Sequence, residues 1–190
     1  MFVEITDEMV KRANIEIEKR DPYIKHHFSV KHLTEQERDR IGFLGEFAMT
    51  WFLGMNFKDQ IRGNYFTIDA GDGVIQDLVY DVKTETIPEP YFTKVINREI
   101  EDDGVFGRRL INQGQVSLLH KYDIVIFGAF KRDDYSKWYP IGYQYTDYLL
   151  NNYQVTYQRP DGGRYPFAAL PVKTSCLYDI NELLKKRGNS

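Results

Sequence analysis

Only one cysteine, Cys176, occurs in the 190-residue chain, which excludes an internal disulfide and any cysteine-rich zinc centre. That scarcity agrees with a reducing, intracellular compartment, and a cytoplasmic location is expected. No apolar run approaches the length that spans a bilayer. The opening Met1-Phe2-Val3-Glu4-Ile5-Thr6-Asp7-Glu8 also lacks the basic start and apolar stretch of a secretion signal, so no membrane partner is expected. Internal repeats, low-complexity tracts and Pro/Gly/Ser-rich linkers are missing too, and residues 1–190 are therefore read as one domain. Basic residues are not in excess: 25 Lys and Arg stand against 28 Asp and Glu, for a net charge of −3, which by itself argues against nucleic-acid binding. The four histidines show no paired spacing typical of a zinc site. Nor can a Ser/His/Asp or Cys/His catalytic set be inferred.

What is present is enough to fold. Hydrophobic residues make up 42% of the chain and aromatic residues 15%, which argues against disorder. Charge is uneven: Lys25, His26, His27, Lys31 and His32 cluster ahead of the first long apolar segment, whereas Glu99, Glu101, Asp102 and Asp103 form an acidic run. A local basic face is thus compatible with a negative total. Thr6 is placed to cap a helix that runs to about Arg20, where Asp21-Pro22 stops it. Thr34-Glu35-Gln36-Glu37 has the form of a capping box opening a second helix, which continues through the apolar stretch Ile41 to Met55 and belongs in the interior. Strand signals follow near Tyr65 to Ile68, at Val74-Ile75 and from Leu78 to Ile87, as an antiparallel unit. Tyr122 to Phe130 reads as a central strand buried on both faces, and Trp138 to Tyr145 as a further strand. A short helix from Thr146 to Asn151, strand-like Tyr153 to Tyr157, a turn at Pro160-Asp161-Gly162-Gly163 and a helix from Asp179 to Lys186 complete the pattern. Pro88 to Gln115 shows no clear period. The expectation is an α/β protein with a mixed central sheet flanked by helices.

The sharpest pattern is Gly71-Asp72-Gly73-Val74-Ile75-Gln76-Asp77-Leu78-Val79-Tyr80-Asp81-Val82-Lys83-Thr84. Strand side chains alternate, so Val79, Asp81, Lys83 and Glu85 share one face while Leu78, Tyr80, Val82 and Thr84 share the other. A two-residue turn at Gln76-Asp77 would pair Ile75 with Leu78, Val74 with Val79, Gly73 with Tyr80 and Asp72 with Asp81. Opposed residues have Cβ atoms roughly 5 Å apart, close enough for two carboxylates to grip one cation. Like charges that near repel unless something positive lies between them, and hard oxygen ligands suit Mg2+, with Mn2+ able to replace it. Asp69 is the alternative first acid, although pairing it with Asp81 would put Val74-Ile75-Gln76 in the turn. Glu46 is the one charge between Ile41 and Met55, and a buried carboxylate needs a partner.

An acid, a short gap and then Asp-x-Lys on a strand, preceded by a buried helix with a Gly-Glu pair, resembles the PD-(D/E)XK, or restriction-endonuclease-like, nuclease superfamily. The residues concerned are Gly45-Glu46, Asp72 and Asp81-Val82-Lys83, within Ile41 to Glu85. Gly71 stands where the family's name would place a proline, and Asp81 where glutamate is commoner. The resemblance implies a restriction-endonuclease-like sheet and a Mg2+-dependent deoxyribonuclease, restrictive or structure-specific, with Glu46, Asp72, Asp81 and Lys83 catalytic. It implies that Asp72, Asp81 and the Val82 carbonyl hold the metal. Glu46 would bind it through water or help to hold a second ion. Lys83 would orient or activate the attacking water and stabilise the transition state, with Glu85 as a possible assistant. Arg108, Arg109, Gln113, Gln115 and Lys121 would be contacts to DNA. A homodimer is expected by the same analogy, because two-fold sites in duplex DNA match protein symmetry. The alternatives are a nucleic-acid-binding protein that keeps the fold but not the catalysis, and an unrelated α+β enzyme using the carboxylates for another metal-assisted reaction.

Overall fold

The computed structural model describes residues 1–20, 32–61 and 71–185. Asp69, the strand expected near Tyr65 to Ile68, and Lys25, His26, His27 and Lys31 lie outside the described residues.

Both expected helix starts are present. Helix α1 (Asp7–Arg20) begins with the Thr6 hydroxyl accepting from the Met9 amide at 3.2 Å. Helix α2 (Glu35–Phe52) carries the full capping box, the Thr34 side chain accepting from the Glu37 amide and the Glu37 side chain from the Thr34 amide. From Ile41 to Thr50 most of α2 is buried, but Trp51 is 54% exposed, so its last turn leaves the interior that its apolar sequence suggested.

The main sheet has five strands. These are β1 (Val3–Glu4), β2 (Gly73–Ile75), β3 (Leu78–Ile87), then β5 (Ile124–Lys131) and β6 (Asp134–Tyr145), in the order β1-β6-β5-β3-β2. β3 and β5 run parallel and the other neighbours antiparallel, so the sheet is mixed, as expected. Every residue of β5 from Ile124 to Phe130 is buried. Its side chains alternate between two cores: Ile124, Ile126 and Phe130 pack with Tyr80, Val82 and the inner faces of α1 and α2, whereas Val125, Phe127 and Ala129 join a second cluster on the opposite face. Phe92 and Val95 of α3 (Glu89–Ile96) and Leu149 of α5 (Thr146–Asn152) belong to that second cluster.

A second sheet was not expected. It consists of β4 (Arg108–Asn112), β7 (Thr156–Gln158) and β8 (Arg164–Lys173) in the order β4-β8-β7, and it places Ile111, Leu170 and Val172 in the second core. Pro166 and Pro171 hid β8, since proline cannot donate to a ladder. Pro166 falls at the register shift between β7 and β8, and Pro171 faces only β4, beyond the end of β7. A four-residue helix α4 (Gln113–Val116) follows β4, and α6 (Asn181–Lys185) ends the described chain. Among the described residues no helix is long and apolar enough to cross a membrane.

Candidate functional site

The hairpin at the edge of the main sheet positions the acids. Gln76 and Asp77 both adopt positive φ, 51° and 64°, the turn that suits the twist of a tight hairpin, and the register is Ile75 with Leu78, Val74 with Val79 and Gly73 with Tyr80. Gln76 is anchored by its side-chain amide, which donates to the Leu183 carbonyl at 2.6 Å. One step further, the Asp72 amide donates to the Tyr80 carbonyl at 2.8 Å, and Asp72 Oδ2 accepts from the Val82 amide at 2.7 Å. Asp72 is thereby held across β3 beside Asp81. The Val79 carbonyl accepts from Asp123 on the β5 side at 2.8 Å, so even-numbered residues of β3 turn their backbone groups the other way. The Val82 carbonyl accordingly points to the edge where Asp72 stands.

Asp72 and Asp81 are 8% and 6% exposed, and the Lys83 ammonium lies 2.6 Å from Asp81 Oδ2. Glu46 joins them from α2: Glu46, Asp72, Asp81, Val82 and Lys83 line a single cavity of about 690 Å³. Helix α2 reaches this position because Gly45 lies directly on β3, where a Cβ would stand 1.9 Å from the Thr84 hydroxyl oxygen. The four charged residues sense one another. The Asp72 pKa is raised well above its ordinary value, chiefly by burial and then by the charges of Glu46 and Asp81, with Lys83 and the Val82 amide opposing them. Burial alone would lower the Lys83 pKa, but Asp81, Asp72 and Glu46 together outweigh it and leave it raised.

Among the described residues no three His, Cys, Asp or Glu side chains are close enough, as placed, to hold an ion. The Lys83 ammonium instead contacts Asp81 Oδ2, and the Val82 amide donates to Asp72 Oδ2. Asp81 Oδ2 is nevertheless buried and accepts no well-directed hydrogen bond, since the Lys83 ammonium approaches it off-line. Two buried acids, a third at the same cavity and a backbone carbonyl are hard-oxygen groups, the donor type that Mg2+ and Mn2+ take, although as placed the acids do not converge on one point.

A protein without such a role gains by losing one of these charges. Asp72→Asn keeps an acceptor for the Val82 amide, adds a donor toward Asp81 and removes a buried like charge. A raised carboxyl pKa favours the folded state at low pH, and that contribution is lost as pH rises through the folded-state value. The substitution is therefore expected to stabilise the metal-free protein at neutral pH by about 1–2 kcal/mol, or roughly 2–6 °C in Tm, with little gain in acid. Thermal melts in EDTA at both pH values measure it; a lower Tm at neutral pH would count against the mutual repulsion.

With this geometry in view, the chain was compared with known proteins. No family model, curated protein or solved structure matches it. The reading of the site accordingly rests on its own residues.

The outer residues sort differently from expectation. Arg109, expected at a DNA surface, is fully buried, donating to the Glu85 carboxylate and the Phe106 carbonyl. A guanidinium in that position cannot reach a phosphate, and Glu85 is taken up as its partner. Arg108 and Gln115 do line the cavity, Arg108 while paired with Asp103 at 2.6 Å. Gln113 and Lys121 are exposed and stand outside the cavity lining. Sequence reasoning overlooked Arg38, Arg132, Arg159 and Arg164, which line the same cavity. Among the described residues six cationic and five acidic side chains line it, and two of the cations, Arg108 and Arg159, are paired with Asp103 and Asp161 beside it. Arg159 and Arg164 flank the turn at Pro160 to Gly163, and that flanking was the one signal available.

Proposed function

We propose that this chain is a metal-dependent nuclease of the PD-(D/E)XK type that hydrolyses phosphodiester bonds in DNA. One observation carries the reading: Asp72 is held across the β3 edge beside Asp81 and Lys83, with Glu46 at the same cavity. Asp72, Asp81, the Val82 carbonyl and Glu46 would hold Mg2+, with Mn2+ as a substitute. When bound, such an ion supplies charge neutralisation on phosphoryl oxygens and a water acidic enough to attack near neutral pH. Lys83, with its raised pKa, is an ammonium at neutral pH. It therefore serves by donating hydrogen bonds to water or phosphoryl oxygen and offsetting developing negative charge. The arginines along the cavity supply phosphate contacts, which position a strand without reading its sequence.

Plasmid and oligonucleotide cleavage with Mg2+ tests the proposal. The wild type is expected to cut with Mg2+ or Mn2+ and not in EDTA, and Asp81→Ala to lose at least about a hundredfold in rate. Cutting that survives in EDTA or in Asp81→Ala refutes it. A second reading, a nucleic-acid-binding protein of the same fold without catalysis, is favoured by the direct Lys83 to Asp81 contact, which balances the two charges with no ion. Tight binding without cutting would select it.

A further inference from the structure

The acid residues share their cavity with the first half of α2, the loop before β4, Arg132 at the β5–β6 turn and the β7–β8 hairpin. Two arginines of the lining meet aromatic rings, although Tyr157 itself is not a lining residue. The Arg132 guanidinium lies over the Phe106 ring, 5.9 Å from its centre, and the Arg164 guanidinium lies 5.4 Å from the centre of the half-exposed Tyr157 ring. Tyr165, partly buried in the cavity lining, stands close enough to Arg108 and Arg159 to feel both charges, which oppose the upward effect of burial on its hydroxyl. Both are paired with an acid, Arg159 with Asp161 and Arg108 with Asp103. Arg132 has a buried Nε without a hydrogen-bond partner, in a side chain that lines the cavity.

Arginines alone would suit any polyanion. Aromatic faces add a requirement, because bases in a duplex are stacked on one another and have no face to offer, whereas an unpaired strand can lay its bases on side-chain rings. A cavity of about 690 Å³ is of the size that takes a small ligand, room for a few nucleotides and not for a duplex segment. We infer that the part of the cavity lining carrying Tyr165, Arg132 and Arg164 is a stacking platform for single-stranded nucleic acid, which makes the substrate a free strand, flap or frayed end. The inference rests on the nuclease reading for its catalysis but not for its binding. It displaces the palindromic duplex that a two-fold dimer would recognise.

The test is fluorescence anisotropy in EDTA, where binding is separated from cutting, at one fixed salt concentration. Probes are a labelled oligothymidylate, an oligouridylate and a duplex of matched length. At least one single strand is expected to bind roughly tenfold or more tightly than the duplex, and the comparison of the two shows which sugar is preferred. Tyr165→Leu, which keeps bulk but removes the ring, is expected to lose about tenfold on the single strand, while Tyr165→Phe keeps wild-type affinity. Matched melting temperatures exclude misfolding as the cause. Equal or tighter duplex binding, no binding to any probe, or Tyr165→Leu with unchanged affinity each overturns the inference. Single-strand preference without Mg2+-dependent cleavage would leave it standing and remove the nuclease reading; cleavage confined to duplex would do the reverse.

Discussion

Lys83→Met is expected to lower the rate of Mg2+-dependent cleavage by about a thousandfold while leaving nucleic-acid affinity nearly unchanged. The size follows from removing one fixed positive charge aimed at a centre where negative charge develops, which typically costs about 10²–10³ in rate. On the proposed reading, nucleic-acid affinity would be spread over the arginines that line the cavity, Arg38, Arg108, Arg132, Arg159 and Arg164, so a single ammonium would contribute little to it. A second consequence comes from the 2.6 Å contact with Asp81. In the wild type an entering ion must displace that ammonium, whereas in Lys83→Met the carboxylates already face each other unscreened. The variant is expected to melt lower than wild type in EDTA and to be raised more by millimolar Mg2+, because binding to the folded state alone adds stability. Activity and metal response thus move in opposite directions, which neither unfolding nor a merely structural lysine would produce. Melts and initial rates on the same preparations are sufficient. Unchanged cleavage, or an absence of any Mg2+ shift in both proteins, would remove Lys83 and the metal from the account.

The hairpin was legible from the sequence because two short-range rules coincide there. Side chains alternate with period two, and a two-residue turn leaves only one register, so the pairs from Ile75 with Leu78 to Gly73 with Tyr80 follow without any knowledge of distant chain. The expected pairing of Asp72 with Asp81 is not part of the ladder, and the Asp72 amide donates to the Tyr80 carbonyl. The capping box at Thr34 and Glu37 and the doubly buried β5 were legible for the same reason, each being decided within a few residues. What depended on long-range pairing was not. β8 was obscured by prolines that its partners accommodate at a bulge and beyond an edge, and α3 (Glu89–Ile96) is a short helix begun at Pro88 inside a segment with no clear period. The arginines of the cavity were hidden because Arg38, Arg132 and the two that flank the β7–β8 turn, Arg159 and Arg164, are far apart in the chain and never form a run. Gly45 shows the reverse case: its close approach to Thr84 explains why a glycine precedes Glu46, but only the packed structure reveals the neighbour.

Arg109→Met is expected to destabilise the protein by about 3 kcal/mol at neutral pH, roughly 6–12 °C in Tm, although Arg109 touches no residue of the acid site. Breaking a buried ion pair by removing one member typically costs about 3–5 kcal/mol, since the remaining charge stays desolvated. The lower end applies because the Glu85 side chain is 30% exposed at the cavity and keeps some water, whereas Arg109 is fully enclosed. Burial already raises the Glu85 pKa and Arg109 opposes the rise, so removing Arg109 drives it higher. A carboxyl raised in the folded state favours folding at low pH, and that contribution disappears as pH climbs through the folded-state value. The gap between variant and wild type is therefore expected to be small near pH 4, by the ordinary range of a glutamate, and to open toward neutrality. Adding Glu85→Leu to Arg109→Met removes the stranded charge and is expected to recover most of the loss, as two apolar groups can replace a buried pair. Urea unfolding of the single and double variants at two pH values decides it; a loss independent of pH, or no recovery in the double variant, would show that Arg109 acts through packing alone. The pair also ties β3, which carries Asp81 and Lys83, to β4 of the second sheet, whose β8 strand carries the arginine and aromatic wall. Single-strand affinity in the double variant then separates charge from geometry: if the apolar pair holds the two sheets as the ion pair does, affinity persists, and if it falls while stability recovers, the ion pair sets the distance between wall and acids.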